Sequence, residues 1–459
     1  MATIIEQEPL YNVLPVGQQV MFSVSNGTIV ANQLEVKFVA EIHISNTPIN
    51  LNTSTDLIAT LKTTPNNEGI GIFDLRPMLE TFVKPDNEPY SEAPFVSEYK
   101  GTPALTQMFP IHLVDKYSLS NNSIKYFAIR FSVDYIDATT LQPVLGTDAE
   151  DSAGFTFFNG VIQYDDVLTL DGNDYGYNLE LFELTDSDSK FLSNAPTTQY
   201  ARLTDYGTFP FLNFVPTSTD KVTSMTLRYY DSSDVQLGVD YVLNDPANGG
   251  VTAVGNSNTM LNYFGGFPAN LDGWSTTWDT HKANISYYTI RDGNGESVLY
   301  RINILCPNER GYEGIRLTWL NQWGAWDYYT FNKKSVRSLT TNRSTYTQQS
   351  GTWNESTFKI AGYKGGQKNF RVNSTERIKM NTDFVTEAEG VWFEELINSN
   401  EVYILNGFQD DTANTITNKY VEPVRLTTSS YTRKTIANDK LMQYTFEVEK
   451  SKMKRTQAV

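Results

Sequence analysis

The sequence predicts an all-β fold, mainly β with two or so short helices, arranged as about three tandem β-sandwich-like domains. Short segments that alternate apolar and polar residues, and that are rich in β-branched and aromatic residues, predict strands nearly throughout the chain. Turn residues separate these segments. At 459 residues, with 40% hydrophobic and 19% charged residues, the chain is too long for one ordinary core and too apolar for a disordered protein.

The predicted strands are clearest where the alternation is longest. One predicted pair of strands flanks Asp292–Gly295, a segment whose Asp, Asn and Gly residues favour the positive φ angles that close a hairpin. Four segments combine alternation with high β propensity: Lys125–Ile136, Ser224–Tyr230, Ser297–Leu305 and Gln443–Glu449.

Two short helices are predicted beside the sheets. Asp74 precedes the first helix and Pro77 lies in its first turn. Thr386 and Glu389 have the spacing of a capping box at the start of the second helix. Apolar residues at helical spacing define the packing faces: Leu75, Met78, Leu79, Phe82 and Val83 in the first, and Ala388, Val391, Trp392 and Leu396 in the second.

Two segments have the composition of domain boundaries. Thr140–Gly154 is rich in small, acidic and turn residues, as linkers are, and Cys306–Gly314 lies where the charge of the chain changes sign. We therefore predict an N-terminal β domain over residues 1–153, a middle β domain over residues 154–308 and a C-terminal β domain over residues 309–459. The last of these holds an aromatic-rich segment and one helix.

The charge is distributed unevenly along the chain. Residues 1–300 hold 14 Lys and Arg against 36 Asp and Glu, a net charge of −22, whereas residues 301–459 hold 22 against 17, a net charge of +5. An acidic surface repels phosphate, so specific recognition of nucleic acid is not expected. The closing Lys450–Arg455 segment is either a local contact for nucleic acid or a solvated or paired tail. No stretch has the length and hydropathy of a membrane span.

The sequence has no strong motif for catalysis, cofactor binding or metal binding. His43, His112 and His281 stand apart from one another and from other ligand types. Cys306 has the alternating neighbours of a buried strand position, which favours an inert thiol. Three weak matches favour turns or chance: an SxxK match at Ser187–Lys190, a partial calcium loop at Asp171, Asn173 and Gly176, and the adjacent carboxylates Asp165 and Asp166. We expect no enzymatic activity and no cofactor.

The segment RLTWLNQWGAWDYYTF, Arg316–Phe331, contains three of the seven tryptophans. Its alternation predicts a strand, a turn at Gly324 and a second strand. Trp319 and Phe331 are expected in a core, and an exposed platform for sugars is the alternative use of so many rings. Six residues are expected at domain or subunit contacts: Trp323, Trp326, Tyr328, Lys452, Lys454 and Arg455.

Several segments resemble recurrent motifs of tail structural proteins from phages that infect Bacteroidetes, including the crAss-like group. Within the aromatic segment, Trp323 and Ala325 depart from the family pattern. The matching residues there are Asn321, Gly324, Trp326, Asp327 and Phe331. The segments that carry the resemblance follow the family order: Gly71–Val83, Gly154–Gln163, Lys190–Pro196, Arg316–Phe331, Glu395–Leu405, Pro423–Leu426 and Asn438–Glu449.

The resemblance implies a non-enzymatic structural component of a virion tail. A single cysteine and the lack of a recognisable signal segment fit assembly in the host bacterial cytoplasm. An acidic body suits a DNA conduit, because charge repulsion keeps the passing duplex from the wall. We therefore expect a homo-oligomeric ring in the tail barrel or hub, in contact with other virion tail proteins.

Two other classes of protein remain compatible with the sequence. A glycan- or receptor-binding module would use the tryptophans on its surface. A polysaccharide-degrading enzyme would place a pair of carboxylates in a cleft.

Overall fold

The computed structural model describes residues 2–89, 109–120, 122–164, 190–212, 224–244, 260–291, 298–305, 311–406, 420–434 and 442–455, with Leu179 and Phe182. Strands dominate this part of the chain, and the predicted all-β class is confirmed. The chain divides into two compact units. The first unit comprises Met1–Cys306, Leu320–Asp327 and Gly407–Lys419, and the second comprises Pro307–Trp319, Tyr328–Asn406 and Tyr420–Val459.

Among the described residues, the N-terminal part of the first unit contains ten strands and two short α-helices. In chain order they are β1 (Ile4–Gln7), β2 (Val13–Pro15), β3 (Met21–Ser25), α1 (Gly27–Asn32), β4 (Leu34–Ser45), β5 (Leu57–Thr63), β6 (Ile70–Asp74), α2 (Arg76–Leu79), β7 (Tyr117–Leu119), β8 (Ile124–Ile136), β9 (Pro143–Asp151) and β10 (Phe155–Phe158). Three strands form a sheet of order β1-β3-β6. Six others form a sheet of order β2-β10-β8-β4-β5, in which β9 also pairs with β8.

A phenylalanine cluster fills the core of this part. The ring centroid of Phe22 lies within 6.4 Å of those of Phe127, Phe131 and Phe155. Phe73 packs on Phe131 at 5.6 Å. All five rings are buried, and buried aromatic side chains of this size supply much of the hydrophobic stabilisation of a β core.

The remainder of the first unit contributes two further sheets. Its elements are β11 (Thr198–Ala201), β12 (Thr208–Leu212), β13 (Ser224–Tyr230), β14 (Tyr241–Asn244), β15 (Leu261–Gly265), α3 (Pro268–Leu271), α4 (Thr276–His281), β16 (Tyr287–Arg291) and β17 (Val298–Ile304). The sheet orders are β11-β17-β16-β13-β14 and β12-β15-β7. Strands β16 and β17 pair antiparallel, as the predicted hairpin requires, and Asp292–Gly295 between them lies outside the described residues.

Where the structure describes it, the second unit consists of a seven-stranded sheet with a helix. Its elements are β18 (Ile315–Leu320), β19 (Trp326–Phe331), β20 (Val336–Gln348), β21 (Gly366–Asn381), α5 (Glu387–Asn398), β22 (Val402–Asn406), β23 (Tyr420–Leu426) and β24 (Thr445–Lys450). The strand order is β19-β18-β22-β23-β24-β21-β20. Trp319 packs on Trp392 of α5 at 4.9 Å, and Phe331 packs on Phe446 at 5.6 Å. Trp319 and Phe331 are therefore core residues, as predicted.

Both predicted helices are present, with differences in detail. The first covers only Arg76–Leu79, and its Asp74 side chain accepts a hydrogen bond from the Arg76 amide at 3.1 Å. The second begins with the predicted capping box. Its packing face differs from the expected one, because Ala388 and Val391 are exposed while Gly390, Trp392, Phe393 and Leu396 are buried.

The segment interpreted as a linker is part of a sheet. Pro143–Asp151 within it forms β9, which pairs with β8, and β10 immediately after it pairs with both β8 and β2. Exposed edge strands and linkers are both rich in charged residues, and β9 is such an exposed strand. The predicted boundary between residues 153 and 154 therefore falls inside one sheet, and the division into three domains stays a prediction.

Candidate interaction surface

The turn of the aromatic segment is held by one asparagine. The Asn321 side-chain oxygen accepts hydrogen bonds from the amides of Trp323 and Ala325, each at 3.0 Å. Its side-chain nitrogen donates to the Leu192 carbonyl at 2.9 Å and to Asp327 Oδ1 at 3.2 Å. All four hydrogen bonds are buried, and hydrogen bonds are electrostatically stronger in the protein interior than in water. Asn321 therefore fixes the conformation of the turn.

The two tryptophans of this turn are buried in the first unit. Trp323 packs on Phe182 with ring centroids 4.3 Å apart. Trp326 packs edge-on against His112 at 4.7 Å, and its indole N–H donates to the Asp86 carbonyl at 2.8 Å. Rings of this size fill a core as readily as an interface.

Tyr328, in the second unit, is buried as well. The Arg316 guanidinium lies 5.3 Å from its ring centroid, and Arg316 donates to Thr330 Oγ1 at 2.9 Å. We expected Trp323, Trp326 and Tyr328 at domain or subunit contacts. All three side chains are buried within the chain, so their exposed surface is small, and their place at a domain or subunit contact stays a prediction.

A buried carboxylate lies beside Trp326. The side chain of Asp86 accepts hydrogen bonds from the hydroxyls of Ser120 and Tyr263, at 2.8 and 3.0 Å, and from the Asn122 amide at 2.6 Å. The Ser123 hydroxyl donates to it as well. A fully buried carboxylate with this many donors is a structural anchor, since its oxygens are already occupied.

Segments that carry the family resemblance meet at this turn. The Val161 amide donates to the Gln322 carbonyl at 2.7 Å, and a Cβ added to Gly324 would lie 1.5 Å from the Asn159 carbonyl oxygen. Leu192 is the residue whose carbonyl accepts from the turn asparagine. These residues come from Gly154–Gln163, Lys190–Pro196 and the aromatic segment. Their role in the first unit is packing and hydrogen bonding.

Some candidate residues for metal binding and catalysis lie in the part of the chain that the structure describes. No group of three His, Cys, Asp or Glu side chains among them could hold a metal ion. His43 is buried, which lowers its pKa, and its Nδ1 lies 3.2 Å from Ser54 Oγ. His112 is a core residue. Five candidates from the sequence lie outside the described residues: Cys306, the carboxylates Asp165 and Asp166, the Asp171–Gly176 loop and Ser187.

The second unit contains a long, mostly exposed β-ribbon, which we call the arm: Val336–Asn381, made of β20, the tip Gln349–Gly365 and β21. Strand β24 pairs with β21 only over Arg377–Asn381, and Lys454 adds one bridge at Ser374. Beyond that bridge, no third strand among the described residues pairs with the ribbon. This free part extends over roughly 24 Å, at about 3.4 Å per residue.

The base of the arm is anchored by ion pairs. Arg337 bonds to Glu376 at 2.8 Å and Arg377 bonds to Glu449 at 2.8 Å. These hydrogen bonds hold the pKa values of both carboxyl groups below the usual range. Ile378 and Met380 at the base are buried, which joins the arm to the core of its unit.

The tip of the arm exposes large apolar side chains. The Thr352 amide donates to the Lys359 carbonyl at 3.0 Å, which brings the residues beside them, Trp353 and Phe358, to the same end of the arm. The exposed fractions are 77% for Trp353, 64% for Phe358, 83% for Ile360 and 77% for Tyr363. Exposed apolar groups scattered singly are ordinary, but several on one short segment mark a contact surface. The ribbon adds the exposed side chains of Leu339, Tyr346, Phe370 and Val372.

The arm and the C-terminal tail concentrate the positive charge of the chain. Val336–Asn381 and Lys450–Arg455 together hold 12 Lys and Arg and 2 Asp and Glu, a net charge of +10, whereas the other residues hold 24 and 51, a net charge of −27. Lys452, Lys454 and Arg455, three of the predicted contact residues, are exposed beside the ribbon, where Arg455 donates to Asn373 at 2.7 Å. Eight of these cations form no ion pair with a described carboxylate: Arg343, Lys364, Lys368, Arg371, Lys379, Lys452, Lys454 and Arg455.

This arrangement is suited to association. A two-stranded ribbon is marginally stable in water by itself, and its strand edges present unpaired N–H and C=O groups. The arm combines such edges with exposed apolar groups and unpaired cations. The sequence alone missed the tip, because Trp353 and its neighbours lie in a polar stretch without helical or strand periodicity.

Comparison with known proteins adds no relative. No protein-family model matches the chain, and no curated protein sequence matches it significantly. No helix among the described residues is both long enough and apolar enough to cross a membrane.

Proposed function

We propose that the chain is a non-enzymatic structural subunit of a phage tail, which assembles with copies of itself into a ring of the tail barrel or hub. The observation that carries this proposal is the arm. It is a free β-ribbon with an apolar tip and unpaired cations, on a chain whose other residues are strongly acidic. If the arm of one copy binds a different, complementary surface of the next copy, the contact is heterologous. Heterologous contacts close into a ring when the rotation between successive copies divides a full turn.

The packing of the family-like segments supports the same proposal. Motif residues of an enzyme family would be expected to converge on a cleft with unoccupied polar groups. Here Asn321, Gly324 and Trp326 are used for packing and internal hydrogen bonds in the first unit. The tail-protein resemblance remains the source of the assignment to a virion.

The charge distribution supports a conduit for DNA. A net charge of −27 outside the arm and tail repels a passing duplex, so transport without adhesion is favoured. We expect weak DNA binding that does not depend on sequence and that weakens further when residues 450–459 are removed, because only the cations of the arm then remain. A mobility-shift experiment at low salt tests this. Tight binding by the truncated chain would count against a conduit.

The main test compares the chain with an arm-shortened variant. Replacing Asn342–Asn373 by Asn-Gly joins Thr341 to Ser374, which are opposed in the ribbon, through a two-residue hairpin turn. The bridge between Ser374 and Lys454 is kept. By electron microscopy and sedimentation, we expect closed rings for the full chain and monomers with an unchanged circular dichroism spectrum for the variant. A full-length chain that stays monomeric at micromolar concentration would refute self-assembly.

A second candidate function is binding of a glycan or receptor. The observation that favours it is the exposure of Trp353 and Tyr363 at the arm tip, because exposed aromatic rings can stack on sugars. Binding of a soluble oligosaccharide by the full chain, lost in Trp353→Ala while rings persist, would establish this second role. An absence of binding across a broad set of oligosaccharides would exclude it for soluble glycans.

A further inference from the structure

The arm is complementary to a surface that is acidic and partly apolar. Its free part carries unpaired Lys368 and Arg371 on the ribbon and Lys364 at the tip. The tip itself holds only two cations and one carboxylate, so contact there is mainly apolar. Charge complementarity raises the rate and specificity of association, while buried apolar groups supply most of the affinity.

One surface of the first unit has these properties. Asp137–Asp151, which we call the β9 surface, contains four carboxylates and no Lys or Arg. Asp151 pairs with Arg130 at 2.7 Å, whereas Glu150 has no partner among the described residues. Leu141 and Leu145 are 66% and 70% exposed. An acidic strand with two exposed leucines matches a cationic ribbon with an apolar tip.

The dimensions and the position of β9 also fit. Its nine residues cover roughly 30 Å, and the free ribbon covers roughly 24 Å. In the described part of the chain, β9 pairs with β8 alone and is a sheet edge. Register shifts along this pairing and positive φ angles at Gly146 and Asp148 make the edge irregular. Irregular edges resist strand addition, so docking through side chains is expected.

A second acidic edge is less suitable. The loop before β14 contains Asp231, Asp234 and Asp240 beside exposed valines. These carboxylates are occupied, since Asp240 pairs with Arg228 at 2.6 Å, Asp234 accepts from the Tyr287 hydroxyl and Asp231 accepts from turn amides. On the β9 surface Asp137 likewise accepts from turn amides and Asp148 from the Asn26 side chain, so the two surfaces differ by one carboxylate without a described partner, Glu150.

We propose that the arm of one copy docks on the β9 surface of a second copy of this chain. This inference rests on the proposed self-assembly and specifies which surfaces of neighbouring copies are in contact. A second copy is favoured over nucleic acid because the net charge outside the arm and tail is −27, which repels phosphate, and because the tip of the arm is apolar. Every copy also carries the complementary surface, so the partner is present wherever the arm is.

The first test is photocrosslinking from the arm tip. A benzophenone amino acid replaces Tyr363. Because this side chain is 77% exposed, the replacement leaves the core unchanged. The chain that carries the benzophenone is mixed with an isotopically labelled copy before irradiation. Crosslinks between copies then differ in mass from crosslinks within one copy. We expect crosslinks to peptides that contain residues 137–151 of the second copy. Crosslinks that fall elsewhere while rings persist overturn this contact and leave the proposed function intact.

The second test changes the β9 surface itself. Leu145→Ser with Glu150→Lys removes an exposed leucine and reverses a free charge, and we expect association about tenfold weaker, as for loss of a contact residue. The matched control is Val239→Ser with Glu68→Lys, two exposed residues elsewhere in the first unit, which should leave association unchanged. Equal weakening by both pairs, or by neither, overturns the proposal.

Charge exchange gives the third test. Lys368→Glu with Arg371→Glu should weaken association, and adding Glu150→Lys to that variant should restore part of the loss, because the charges are again opposite. Association of the full chain should also weaken as salt is raised. A full-length chain that is monomeric overturns both this contact and the proposed function. Duplex DNA that binds the full chain tightly and not the arm-shortened variant would identify nucleic acid as the arm's partner and also overturn this contact.

Discussion

Gly324 provides the sharpest test of how the aromatic segment is packed. Its φ is +73°, in the left-handed region, and a Cβ at this position would lie 1.5 Å from the Asn159 carbonyl oxygen. Ordinary contact begins at 3.4 Å, so Gly324→Ala forces the backbone of the turn to move. That movement disturbs the bond from the Val161 amide to the Gln322 carbonyl.

The expected cost has two parts. Alanine in the left-handed conformation costs about 1–2 kcal/mol. Overpacking a filled site costs about 1–3 kcal/mol. The free energy of local unfolding at the turn should therefore fall by about 2–5 kcal/mol, a large fraction of the stability of an ordinary domain.

Two other glycines allow the conformational cost and the overpacking cost to be measured separately. Gly146 has φ +63° with nothing within 4 Å of an added Cβ, so Gly146→Ala should show the conformational cost alone. Gly154 has neither a positive φ nor a close neighbour, so Gly154→Ala should be nearly neutral. Hydrogen exchange of the peptides that contain each position gives the local free energy of opening, which avoids assuming two-state unfolding for a chain with two units. If Gly324→Ala costs no more than Gly146→Ala, the close approach to Asn159 is wrong.

The remaining predictions concern the core of each unit. Asp86→Ala leaves several buried donors unpaired and should destabilise the first unit by about 3 kcal/mol or more, whereas Asp86→Asn keeps an acceptor and should cost less; thermal unfolding of both variants decides. Trp326→Phe keeps an aromatic ring but loses one hydrogen bond, so thermal unfolding should show a loss of stability of about 1 kcal/mol. Unchanged stability would contradict the bond to the Asp86 carbonyl. Trp319→Ala should cost about 3–5 kcal/mol and increase exchange in the second unit; unchanged exchange there would contradict its core position. Burial lowers the pKa of His43 below the unfolded value of 6.5, so its contribution to stability is complete above that pH and declines as pH falls below it. His43→Gln should therefore reduce the slope of unfolding free energy against pH below 6.5, and an unchanged slope would show that His43 is not the titrating group.

Several features were readable from the sequence because they depend on neighbouring residues. Alternation located β8, β13, β17 and β24, since successive side chains of a strand face opposite sides. The capping box at Thr386 was predicted from two residues three positions apart, and the structure contains both of its hydrogen bonds. These are local properties of the backbone, so the sequence specifies them without knowledge of the tertiary fold.

Other features depended on contacts between distant residues. Alternation placed Trp326 on a strand, but its burial depends on Asp86 and His112, more than 200 residues away in sequence. The acidic composition of Pro143–Asp151 is the same for a linker and for an edge strand, and only the hydrogen bonds to β8 distinguish them. The arm is exposed along almost all of β20, and its role follows from the lack of a third strand beside it beyond Ser374 in the described part. Local pattern determined where the strands lie, whereas burial and exposure were decided by which distant segments pack together, because the free energy of burying a side chain depends on what covers it.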